Sequence, residues 1–132
     1  LIVAGGLAAA GCQSSSSAPM TIAVQSPANT NQGRLVYMIV RTLDQGSFLA
    51  EPYETVAAKV TAPDASVVAS QVIYPGSTTK VSVARQEKSP LAIYFLFTSP
   101  ANNGSWKTLL QQPLSREVQI ELKGSSIGKV SD

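Results

Sequence analysis

Hydrophobic and polar residues alternate along most of the chain after residue 19, with a period of two that is typical of strands. The clearest case is Glu117–Lys123, where Val118, Ile120 and Leu122 alternate with polar side chains. Two other segments, Leu35–Leu43 and Leu91–Thr98, are almost continuously apolar, as expected of central strands buried on both faces. Further strands are predicted at Met20–Val24, Val67–Tyr74, Thr78–Arg85, Thr108–Leu110 and Ser126–Val130. The pattern therefore predicts an all-β, two-sheet β-sandwich of seven or eight strands.

One segment departs from the strand pattern. In Phe48–Val60, the residues Leu49, Tyr53, Val56 and Val60 recur at helical spacing, which predicts one short helix after the second strand. Pro52 is tolerated best in a first turn, so the regular part of this helix should begin near it. Pro75-Gly76-Ser77 lies between two strand patterns and predicts a hairpin.

The first residues of the chain have a different character from the rest. Residues 1–11 are all apolar or glycine and end in small residues before Cys12, the only cysteine. This arrangement predicts a lipoprotein signal segment at 1–11 and acylation of Cys12. Residues 12–19 would then form the lipidated cysteine and a flexible serine-rich linker, and residues 20–132 the β-sandwich domain. An ordinary secretory signal is the alternative, because Ala8-Ala9-Ala10 also satisfies the small-x-small rule.

Composition narrows the possible functions. The 132 residues include no histidine, and their net charge is +2 with no basic run, which argues against metal binding, common enzyme chemistry and nucleic-acid binding. We predict a non-enzyme with no catalytic residues, no metal and no cofactor. Asp44, Glu51 and Glu54 could in principle form an acid–base group, but a turn and an exposed helix face explain them better. Arg41 interrupts an apolar strand and is expected to extend to water from its end.

The order of several short motifs resembles the type VI secretion system outer-membrane lipoproteins, the TssJ family. The matching segments are Asn31-Gln32-Gly33-Arg34, Ile39-Val40-Arg41-Thr42-Leu43, Ser47-Phe48, Pro52-Tyr53, Tyr74-Pro75-Gly76-Ser77, Phe95-Leu96-Phe97 and Ser105-Trp106-Lys107. The resemblance implies a transthyretin-like sandwich that is lipid-anchored at the periplasmic face of the outer membrane. It also implies binding to the periplasmic part of the inner-membrane component TssM.

In that family the loop between the first two strands is implicated in partner binding. Here the loop is polar and adaptable, as binding loops on a rigid scaffold often are. The candidate partner-binding residues are therefore Asn29, Thr30, Asn31, Gln32, Gly33 and Arg34.

Two other functions remain compatible with the sequence. One is a pilotin-like or other secretion accessory lipoprotein. The other is a sandwich that binds a glycan or small ligand, for which Trp106 and the Asn102-Asn103-Gly104 loop would form the site.

Overall fold

The computed structural model describes residues 18–132, which form two packed four-stranded sheets. Residues 1–17, and with them the predicted signal segment and Cys12, lie outside the described part. The strands are β1 (Pro19–Ser26), β2 (Val36–Thr42), β3 (Val67–Ile73), β4 (Ser77–Ala84), β5 (Leu91–Leu96), β6 (Lys107–Leu110), β7 (Glu117–Lys123) and β8 (Ser126–Ser131). The predicted two-sheet all-β sandwich is confirmed.

Sheet 1 has the strand order β4-β1-β7-β8, and sheet 2 has the order β3-β2-β5-β6. All neighbours are antiparallel except β1 and β7, which run parallel. The core lies between the sheets, where Ile22 and Ile120 of sheet 1 oppose residues such as Met38 and Phe95 of sheet 2. Alternation places these side chains on the inner faces, because successive residues of a strand point to opposite sides.

The predicted hairpin at Pro75-Gly76-Ser77 is wrong, because β3 and β4 belong to different sheets. β3 pairs with β2, and β4 pairs with β1 along its whole length, from Pro19 opposite Ala84 to Ser26 opposite Ser77. Gly76 has a positive φ of 82° and donates its N–H to the carbonyl of Ser26 at 2.6 Å. The turn therefore carries the chain from sheet 2 to sheet 1 across the end of the sandwich. The turn residues alone do not determine which sheet the next strand joins.

The predicted helical segment lies after β2 as expected, but it is divided into two short helices. These are α1 (Gln45–Ala50) and α2 (Tyr53–Ala57), followed by a 3₁₀ turn at Ala58–Val60. Pro52 cannot donate a backbone hydrogen bond and favours extended backbone before it, so Glu51 is extended and the helix is interrupted. Because the two helices have different axes, Leu49 is exposed and Phe48 takes the buried position.

The helices cover the outer face of sheet 2 above β5 and the adjoining part of β2. Phe48 packs on Tyr94 with ring centroids 5.9 Å apart, and Val56 is fully buried. The Tyr53 hydroxyl donates to the carbonyl of Phe97 at 2.6 Å. This third layer explains why every residue of β5 is buried. The outer face remains exposed at Tyr37 of β2 and at Ser70 of β3.

Candidate partner-binding surface

The loop from β1 to β2 crosses from sheet 1 to sheet 2 at one end of the sandwich. Its centre is a 3₁₀ turn at Thr30–Gly33, within which Asn31 and Gln32 have φ values of 51° and 57°. Gly33 also has a positive φ, of 80°. Three consecutive residues in the left-handed region are unusual for non-glycine side chains, so the surrounding structure must hold this conformation.

Asn31 supplies the contacts that hold the loop. Its side-chain amide donates to the carbonyl of Leu35 at 2.9 Å and to the hydroxyl of Thr98 at 3.3 Å, and its Oδ1 accepts from the Thr98 N–H at 2.9 Å. Its own backbone N–H donates to the carbonyl of Gly124 at 2.9 Å. Through its side chain Asn31 thus joins the loop to the residue before β2 and to the segment after β5, and through its backbone to the β7–β8 turn.

The six predicted partner-binding residues therefore divide into two groups. Thr30 and Asn31 are buried and position the loop, so their side chains are not available to a partner in this conformation. Asn29, Gln32, Gly33 and Arg34 are exposed on the outside of the same loop. The structure brings all six together, but only the last four form a surface.

Two apolar residues extend this surface onto β2. Leu35 is 47% exposed and Tyr37 is 42% exposed, both unusually high for large apolar side chains at a strand. Tyr37 lies on the outer face of sheet 2, in the exposed part next to β3. The sequence predicted this strand to be buried on both faces, which is wrong at Tyr37. We call Asn29, Gln32, Gly33, Arg34, Leu35 and Tyr37 the loop surface.

Arg41 lies on the same outer face but under the helices, and it does not extend to water as expected. It is 4% exposed, and its guanidinium forms an ion pair with Glu51, which follows α1 and is 23% exposed. Its Nε donates to the Ser66 hydroxyl at 2.9 Å, and the guanidinium carbon lies 5.7 Å from the centre of the Tyr94 ring. Burial opposes the charge of Arg41, but the hydrogen bond and charge of Glu51 outweigh this effect and raise its pKa.

The three acidic residues that could have formed a catalytic group instead have separate surroundings. Asp44 caps α1 by accepting the Ser47 N–H at 2.8 Å, and its hydrogen bonds to Ser47 lower the pKa of this carboxyl. Glu51 is paired with Arg41, and Glu54 is exposed on α2. Within residues 18–132 there is no group of three or more histidine, cysteine, aspartate or glutamate side chains placed to hold a metal ion.

Trp106 is buried, which removes the aromatic surface that a glycan-binding site would need. Its ring packs edge-on against Tyr53 at 5.0 Å and lies 5.6 Å from Tyr94, beneath the helices. Lys107 Nζ lies 4.5 Å from the centre of the Phe48 ring, and burial lowers its pKa. Asn102 and Asn103 remain exposed in the neighbouring loop but without an exposed tryptophan beside them.

No helix in the described part of the chain is long and apolar enough to cross a membrane. No curated protein matches the chain in sequence at a significant level.

Solved structures of the same fold come from type VI secretion proteins. The lipoprotein TssJ1 from Pseudomonas aeruginosa is 16% identical, with a TM-score of 0.68 over 88% of this chain and 96% of that one. The membrane-bound component Lip from Serratia marcescens is 13% identical, with a TM-score of 0.63 over 84% and 97%. A chain in a structure described as the TssM C-terminal domain from EAEC is 14% identical, with a TM-score of 0.65 over 86% and 98%. None of these descriptions names an enzyme, and the resemblance to TssJ lipoproteins is confirmed for the fold.

The sequence identities to these solved structures are too low to assign the chain to a family. A family model does assign it. The model of the N-terminal domain of IglE matches residues 37–122, from the second residue of β2 to near the end of β7. The match spans both sheets and the helical layer, and it begins just after most of the loop surface. The chain therefore belongs to the IglE N-terminal domain family.

Proposed function

We propose that this chain is a structural lipoprotein of a type VI secretion system. It is held at the periplasmic face of the outer membrane by acyl chains on Cys12. Its loop surface binds the periplasmic part of a TssM-like inner-membrane component and so links the two membranes. The fold it shares with TssJ1 and Lip, both described as type VI secretion proteins, supports this proposal.

The observation that carries the proposal is the position of the loop relative to the start of the domain. β1 runs from Pro19 to Ser26, so the chain enters the sandwich at one end and reaches the loop surface at the other. Eight residues of extended strand span about 25 Å at roughly 3.3 Å per residue. A domain tethered through residues 12–18 therefore presents its loop surface on the side away from the tether.

The loop surface also has the composition of a binding site. It combines one arginine and two amides with a tyrosine and a leucine that remain exposed, and tyrosine and arginine are enriched at interface hot spots. Asn31 fixes its backbone in advance, which lowers the entropy lost when a partner binds. Tethering both partners across a narrow compartment raises their effective concentration, so a modest interface would suffice.

The anchor is tested by replacing the predicted acylation site. Cys12→Ser should move the protein from the membrane fraction to the soluble periplasmic fraction, because two or more acyl chains are needed for stable attachment. Fractionation followed by immunoblotting measures this, and radiolabelled palmitate incorporation should be lost in parallel. Retention of Cys12→Ser in the membrane fraction would contradict the anchor.

The partner surface is tested by reversing the charge of Arg34. Arg34→Glu should weaken binding to the purified periplasmic part of the TssM-like protein by at least tenfold, or about 1.4 kcal/mol. Tyr37→Ser should have a similar effect through lost apolar contact. Biolayer interferometry measures both, and neither should change the melting temperature much, since both side chains are exposed at the surface.

Lys88→Glu is the matched control for Arg34→Glu. It makes the same charge change at an exposed residue in the loop after β4, at the opposite end of the sandwich. Equal losses of affinity for Arg34→Glu and Lys88→Glu would show that net charge, and not the loop surface, governs binding. Capture of a secretin instead of the TssM-like protein would favour the pilotin-like alternative.

A further inference from the structure

The sandwich has four edge strands, and one of them differs from the others. The edges are β4 and β8 in sheet 1 and β3 and β6 in sheet 2. β4 and β8 carry the exposed lysines Lys80 and Lys129, and Lys107 of β6 is turned onto Phe48 under α1, whereas β3 (Val67–Ile73) has neither a charged residue nor a proline. Charged side chains and prolines are the usual means by which edge strands avoid pairing with other chains. β3 therefore lacks the exposed charge that protects both edges of sheet 1.

A bulge protects only the beginning of β3. Arg41 pairs with Val67 and Val40 pairs with Ala69, so Val68 is an extra residue with no partner on β2. From Ala69 to Ile73 the register is regular. A regular, uncharged edge of five residues is thus available for pairing.

Exposed apolar residues lie at both ends of this regular edge. Tyr74, immediately after the strand, is 58% exposed, and Val68 at the bulge is also exposed. Between them Gln71 is exposed at the centre. The exposed residues along this edge are therefore arranged symmetrically about Gln71, with an apolar residue at each end and an amide in the middle.

We propose that β3 pairs antiparallel with β3 of a second copy of this chain, with Gln71 on the two-fold axis. This register places Ala69 opposite Ile73 and Ser70 opposite Val72, so no like charges face each other. At each end Tyr74 of one copy lies opposite Val68 of the other, and each covers apolar surface that is exposed in the single chain. The two Gln71 amides meet at the axis, where each can donate and accept a hydrogen bond.

The symmetry of the edge favours a second copy over an unrelated strand. An isologous contact requires a self-complementary surface, and β3 meets this requirement in charge, size and position of its apolar residues. The two copies of sheet 2 would become one continuous eight-stranded sheet. The loop surface lies on β2 and the turn before it, so the pairing leaves two loop surfaces free for a partner.

Cross-linking through the axis tests the register directly. In the full chain carrying Cys12→Ser, which leaves no other thiol, Gln71→Cys places two cysteines at antiparallel pair distances of about 4.5–5.5 Å between Cα atoms. That separation is within the range of a disulfide. Mild oxidation in nonionic detergent at micromolar concentration should convert most of the protein to a covalent dimer on a non-reducing gel.

Lys129→Cys in the same background is the matched control, because it also lies on an exposed edge strand. It should stay largely monomeric, which excludes cross-linking caused by nonspecific oxidation of exposed thiols. Sedimentation equilibrium of the full chain should show a monomer–dimer equilibrium that Gln71→Lys weakens at least tenfold, and at concentrations where both proteins are monomeric their melting temperatures should be the same. Equal cross-linking at residues 71 and 129, a monomer at all concentrations, or a dimer insensitive to Gln71→Lys would each overturn the proposal.

Discussion

Replacing Asn31 with alanine should lower the free energy of unfolding by about 3 kcal/mol, although Asn31 lies in a polar loop. The substitution removes the amide that donates to the carbonyl of Leu35 and the Oδ1 that accepts from Thr98. Each buried polar group left without a partner costs roughly 1–3 kcal/mol. Alanine must also adopt the left-handed φ of 51°, which costs a further 1–2 kcal/mol or so. Thermal and urea denaturation measure the change.

Two control variants separate the causes of this loss. Asn31→Gly removes the same hydrogen bonds but tolerates the positive φ, so it should cost less than Asn31→Ala, about 2 kcal/mol. Gln32→Ala exchanges one residue with a Cβ for another at the same left-handed φ of 57° and at an exposed position, so it should cost less than about 0.5 kcal/mol. If Asn31→Ala and Gln32→Ala had equal effects, the hydrogen bonds of Asn31 would not be what holds the loop.

Glu51→Ala should destabilise the fold by about 2–3 kcal/mol, which is more than Arg41→Met. Removing Glu51 leaves the guanidinium of Arg41 buried without its counter-charge, and arginine cannot become neutral at accessible pH. Removing Arg41 leaves Glu51, which is partly exposed and can be hydrated, so Arg41→Met should cost only about 1–2 kcal/mol. Loss of one partner of a fully buried pair costs about 3–5 kcal/mol, and the exposure of Glu51 reduces this.

The double variant Arg41→Met/Glu51→Ala tests whether the two residues act as a pair. Its loss should be smaller than the sum of the single losses by about 1 kcal/mol or more, as expected of residues in direct contact. Lys59→Ala breaks the more exposed ion pair with Asp64 and should change stability by only about 0.5 kcal/mol. Additive losses for Arg41 and Glu51 would show that their contact does not stabilise the helical layer.

Local patterns in the sequence were sufficient to predict the strands. The alternation of Val118, Ile120 and Leu122 defines β7, and the continuous apolar run at Leu91–Leu96 correctly indicates a strand buried on both faces. Both signals depend only on neighbouring residues. The loop of the candidate site was also located correctly, because its proline, asparagine and glycine content is local information.

The features that local patterns did not reveal depend on residues that are distant in sequence. Asn31 was named as a candidate partner-binding residue, and its buried position depends on a contact with Thr98, which is 67 positions away. Arg41 was expected in water because its partner Glu51 lies beyond α1 in a segment predicted to be exposed. Likewise, Pro75-Gly76 indicates a turn but not which sheet the next strand joins. Periodicity carries no information about such long-range contacts.

The position of β1 within sheet 1 determines how the domain would respond to force. β1 lies between two strands, antiparallel to β4 over all its residues and parallel to β7 from Thr21 to Gln25. A pull between the N-terminal tether at Pro19 and a partner held at the loop after Ser26 acts along the axis of β1. Because β1 is already extended, its covalent backbone would carry this pull with little change in length, while the hydrogen bonds to β4 and β7 hold it in place. Tension between the two membranes would thus pass through one strand and place little load on the rest of the sandwich.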